Sequence, residues 1–156
     1  MTSAALAIAL HALSAAVWVG GMFFAYQVLR PVAAAQLEPP QRLRLWSGVF
    51  SRFFPWVWVA VVLLLASGFW MILARFGGFG SVGLYVHLML ALGIVMMLLF
   101  MHVYFAPYRR LRSAVAIQDW PTGGSALAQI RLLVGINTLL GILVIMIGAG
   151  GRYVVL

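Results

Sequence analysis

His11, His87 and His102 are the only side chains titrating near neutral pH within the long apolar stretches of this chain. An ionisable group in a bilayer is costly, so each is a functional candidate. Imidazole can ligate a metal ion, hold a haem iron or pass a proton. The acids are only two, Glu38 and Asp119, and both fall between the apolar stretches. A buried carboxylate relay and a paired-carboxylate hydrolase are therefore excluded. With no Cys, so are iron–sulfur clusters, thiolate zinc sites, covalent c-type haem and a cysteine nucleophile.

Spacing along the helices narrows the chemistry. With a first span starting near Ala5 and a third near Val82, His11 and His87 both lie ~8–9 Å below one membrane face. Two imidazoles at one depth on parallel spans are expected to ligate a b-type haem iron from both sides. His102 lies ~22 Å deeper than His87 and about 60° around the helix, so it cannot join that site. Met22 is about 20° from His11 in rotation and near the depth of His102, where a second metal site, Met/His haem or Cu(I), is conceivable. The alternative for each histidine is a hydrogen bond to a backbone carbonyl or to a Ser/Thr hydroxyl on a neighbouring helix. The alternative for Met71, Met89, Met96, Met97, Met101 and Met146 is apolar packing.

The cationic residues are ten Arg and no Lys, giving a net charge of +8. Arg75 and Arg152 would lie just outside the His11/His87 level. Haem propionates need such partners, and the guanidinium fork suits carboxylates. Anchoring to lipid headgroups is the alternative.

These residues need elements to hold them. The chain has 156 residues, 65% hydrophobic and 8% charged, with mean hydropathy +1.11. Ordinary soluble domains are about 25% charged, so the composition points to one integral membrane domain. Four stretches are long enough to span, at about 5–29, 41–74, 82–107 and 125–149. The fold class is all-α, a four-helix membrane bundle over 1–156. Gln41 to Phe53 interleaves Leu43, Trp46 and Phe50 with Arg42, Arg44 and Arg52, which predicts an amphipathic start lying at the interface. Ser125, after Pro121-Thr122-Gly123-Gly124, is the expected cap of the last helix. The first run has no charge before Arg30, so it is expected to be a retained helix rather than a signal peptide. Small residues at Ser67-Gly68, Gly141 and Gly148 permit close helix approach, and Asn137 is expected to bond across helices.

Eight arginines flank the two long connections, and only Arg75 and Arg152 fall on the other side. The positive-inside rule then puts both termini outside, in the periplasm, for a multi-pass protein of a bacterial inner membrane. The pI of 11.4 thus reflects topology. Nucleic acid is not an expected partner, because the arginines form no basic face.

His11-Ala-Leu-Ser-Ala-Ala-Val-Trp18-Val-Gly20-Gly21 resembles the opening helix of CopD-like copper-resistance membrane proteins. The same His with Trp seven later is similar to the HemJ-type protoporphyrinogen oxidases. Tyr85-Val-His87, the later His102, and Tyr104, Pro107 and Arg109-Arg110 resemble helix 3 of that superfamily, and Arg131 to Gly141 its last helix. The resemblance implies a compact four-helix unit. Its HemJ-like branch implies haem b on His11, with His87 matching a helix-3 histidine. Its CopD-like branch implies copper uptake or handling. The HemJ-like pattern carries a Lys two residues after that histidine, where this chain has Met89, which disfavours porphyrinogen oxidation.

Three functions follow as expectations. The first is a b-haem one-electron carrier, a membrane oxidoreductase at most. Its axial ligands would be His11 and His87, with Trp18, Arg75 and Arg152 at the cofactor and a quinone or other membrane redox partner. The second is copper transport or handling. The third is a cofactor-free assembly subunit of a membrane complex. The lipid bilayer is a partner in all three, and each leaves room for a homo-oligomer.

Overall fold

The structure is a computed structural model that describes residues 2–153; the side chain of Arg152 lies outside the described residues. Helix α1 (Ser3–Phe23) starts where the Thr2 hydroxyl accepts from the Ala5 amide, which satisfies one of the unpaired donors of a helix start. It widens into a π-helical segment, Phe24–Leu29, and continues as α2 (Arg30–Gln36). Helix α3 (Pro39–Trp70) opens with a capping box. The Glu38 side chain accepts from the backbone of Gln41, and the Gln41 side chain accepts from the Glu38 amide at 3.3 Å. A π-helical segment, Met71–Arg75, ends it. Gly77 and Gly78 then take φ of 81° and 109°, a conformation that favours glycine, and turn the chain. Helix α4 (Leu84–Phe105) meets α5 (Pro107–Ala116) at Ala106-Pro107. Helix α6 (Trp120–Gly150) closes the bundle.

Four helical runs are long and apolar enough to cross a membrane: Ser3–Gln36, Pro39–Arg75, Leu84–Ala116 and Trp120–Gly150. This is a multi-pass membrane protein, and a lipid bilayer is its solvent. Each run has 31 residues or more, where about 20 suffice. The surplus lies at the end remote from the termini, the loop end, and one expectation changes there. Gln41 to Phe53 opens the same helix as the second span, as expected, and its Leu43, Trp46 and Phe50 are buried within the protein. The last helix starts not at Ser125 but at Trp120, capped by Asp119, whose carboxylate accepts from the Thr122 amide at 3.1 Å. Pro121 fits the first turn because its missing N–H needs no partner there. Gly123 fits because a Cβ would come within 3.1 Å of Leu43.

The tightest packing also sits at the loop end. Leu111 and Ile130 are 0% exposed. Along the spans the apolar side chains turn outward: Leu139 is 70% exposed, which suits lipid. Helix α6 approaches its neighbours closely through glycines. A Cβ at Gly141 would meet Val19 of α1 at 2.7 Å and Met96 of α4 at 3.1 Å, and one at Gly148 would meet Met89 at 2.9 Å. Helix α3 reaches α4 through rings. Phe54 and Trp58 stand edge-on to Phe100 at 5.5 and 5.2 Å, a favoured aromatic geometry. Three arginines at the loop end lie over rings, Arg30 on Tyr26, Arg44 on Trp120 and Arg112 on Tyr108.

Candidate functional site

His11 sits half-buried on α1, facing α3. Its ring lies against Gly68, where a Cβ would stand 3.4 Å from Cε1. Nδ1 is 2.9 Å from the Ser67 hydroxyl oxygen. Ser67 Oγ donates its own proton to the Leu63 carbonyl, so toward His11 it can only accept. The histidine must therefore carry its proton on Nδ1 and leave the Nε2 lone pair free. A hydrogen bond that holds one ring nitrogen in this way orients the other to ligate a metal ion. Met71, one turn beyond Ser67 and half-buried, lies on the same stripe of the chain.

His87 is placed otherwise. It is exposed, and its Nδ1 lies 3.3 Å from the Gly83 carbonyl at the start of its own helix. Nine residues separate it from the buried Met96, about half a turn net, so His87 faces away from α6. His102 is exposed on the same outward side. Helices α1 and α4 meet lower down, where Trp18 and Phe100 pack edge to face at 6.0 Å. Both expected hydrogen-bond alternatives are thus present, a Ser hydroxyl for His11 and a backbone carbonyl for His87. No recorded contact joins the two rings among the described residues.

The remaining residues spread over the bundle. Trp18 and Met22 are buried and line a central cavity. Arg75 is exposed at the end of the π-helical segment after α3, and Arg152 lies outside the described side chains. Asn137 makes its expected cross-helix bond, donating from Nδ2 to the Met96 carbonyl at 3.3 Å. Among the described residues no cluster of three or more His, Cys, Asp or Glu could hold a metal ion. Sequence reasoning passed over Ser67 as a partner for His11. Its signal was a hydroxyl followed by Gly68 on an otherwise apolar helix.

No curated protein and no solved structure matches the chain. The family model described as copper resistance protein D matches residues 47–150, from within α3 to the end of α6. His87 and His102 fall inside that match, as does Ser67, whereas His11 and Trp18 precede it. With more than half of its 156 residues matched, the chain belongs to the copper resistance protein D family.

Proposed function

We propose that this membrane protein handles copper, with Cu(I) taken at the seam between α1 and α3. The observation that carries the reading is the His11–Ser67 pair. Ser67 pins the Nδ1–H of His11 and leaves Nε2 as a neutral, oriented ligand. Met71, on the same seam, adds a thioether within one turn of Ser67. Imidazole and thioether are borderline and soft ligands, a combination suited to Cu(I) and poor for hard cations. Family membership supports copper as the metal. The arginine distribution supports a site on the outer side, at the end that bears both termini.

Haem b finds less support within one chain. His87 is exposed and lies against the Gly83 carbonyl of its own helix, which lends no support to joint ligation of a macrocycle with His11. What remains for haem is a single axial nitrogen, Nε2 of His11.

Metal titration of the purified chain against a Cu(I) chelator tests the proposal. Native protein should retain copper, and His87→Ala should retain it equally. His11→Ala should lose it, and Met71→Leu should weaken it. Full copper retention by His11→Ala would overturn the reading. A Soret band that disappears in His11→Ala would instead place an iron porphyrin on this nitrogen.

A further inference from the structure

A cavity of about 250 Å³ lies among α1, α3, α4 and α6, toward the loop end from His11. Its walls are almost wholly apolar and partly aromatic, with Trp18, Phe50, Phe53, Phe54 and Phe100 around it. Asn137, 4% exposed, is the one amide side chain in its lining. The amide nitrogen of Asn137 bonds the Met96 carbonyl, which fixes which end of the amide is which. Its oxygen, Oδ1, has no hydrogen-bond partner. A buried acceptor without a partner is rare in a folded protein and calls for an explanation.

The cavity also reaches toward lipid. Phe24, the first residue of the π-helical segment after α1, lines it and is more than half exposed. The helix is π-wound from Phe24 to Leu29, and such segments recur at functional sites. A ligand with three features fits this setting. It carries a flat ring for the aromatic walls, a hydroxyl to donate to Asn137, and an alkyl tail that leaves past Phe24.

We infer that the cavity binds a lipid-soluble ring alcohol of the phenol or quinol class, anchored by a hydrogen bond to Asn137 Oδ1. The inference is independent of the copper reading, since no histidine lines the cavity.

The test uses the full chain in lipid nanodiscs, with protein-free discs as the partition control. The probes are 4-octylphenol, its methyl ether 4-octylanisole, which cannot donate, and octylbenzene. Native protein should bind the phenol about ten-fold more tightly than the ether, the size expected for satisfying one buried acceptor. Asn137→Leu should erase that difference. Ala25→Leu keeps Asn137 and fills the cavity, and should reduce binding of all three probes. Equal binding of phenol and ether by the native chain overturns the inference. So does undiminished octylphenol binding by Ala25→Leu, or no binding above the protein-free discs.

Discussion

His11 and Ser67 are joined across the α1–α3 seam by a 2.9 Å hydrogen bond whose direction is set elsewhere, at the Leu63 carbonyl. Because Ser67 spends its proton on its own helix, it dictates the tautomer of a histidine 56 residues away in sequence. The expected outcome is directly visible. In protein labelled with 15N-histidine, His11 should show a protonated Nδ1 and a bare Nε2. Ser67→Ala should give a mixture of tautomers, because the acceptor is gone. An Nε2-protonated His11 in the native chain would contradict the assignment.

Gly141 is the point where three helices touch. A Cβ there would meet Val19 from α1 and Met96 from α4 at once, so neither neighbour can yield without pressing on another. Gly141→Val should destabilise the bundle by about 1–3 kcal/mol, the usual range for overpacking. Gly93, where a Cβ would meet nothing within 4 Å, is the control, and Gly93→Ala should be near neutral. Reversible unfolding in mixed micelles measures both.

The fold was largely legible in the residues, and the site was legible in part. Four spans follow from uninterrupted apolar length, a signal no other feature can erase. What the sequence could not reveal was where each helix points its faces. His11 and His87 share a depth, and depth comes from counting residues. Azimuth comes from packing, and it is set by Gly148 against Met89 and by Gly141 against Met96. Those contacts turn His87 outward. The start of the last helix was placed five residues late, at Ser125 rather than Trp120, for a related reason. Alternating arginines and aromatics suit a membrane surface, and at the loop end α3, α5 and α6 bury such aromatics against one another.

The loop-end core should dominate stability. Leu111 is 0% exposed on α5, while Leu139 on α6 is 70% exposed. Leu111→Ala opens a cavity in a packed region and should cost roughly 2–5 kcal/mol. Leu139→Ala changes a lipid-facing side chain and should stay within about 0.5 kcal/mol. Comparable losses for the two would mean that the spans, not the loop-end core, hold the bundle together.

Asp119 gives the start of α6 a pH dependence. Hydrogen bonds from Thr122, first the side chain and then the backbone amide, hold its carboxyl below the ordinary aspartate range. The folded value is depressed, so the cap contributes fully above the unfolded value, near ~3.9. That contribution is lost as pH falls through the folded value. Amide protection at Thr122 and Gly123 should therefore decline as the solution is acidified below about pH 4. Asp119→Asn keeps an acceptor but no titrating group, and its protection should be flat over the same range.

The arginines predict which way the bundle sits. Eight of the ten flank the two loop-end connections, and cationic side chains resist transfer across the membrane. The chain has no Cys, so single thiols report position without background. Ser113 on α5 and Ser81 in the turn before α4 are both exposed and lie at opposite ends of the bundle. A membrane-impermeant maleimide should label Ser81→Cys in intact cells, and Ser113→Cys only after permeabilisation. The reverse pattern would place the loop-end core and its arginines outside. It would also move His11 and Met71 to the cytoplasmic face, where copper would reach them from within the cell.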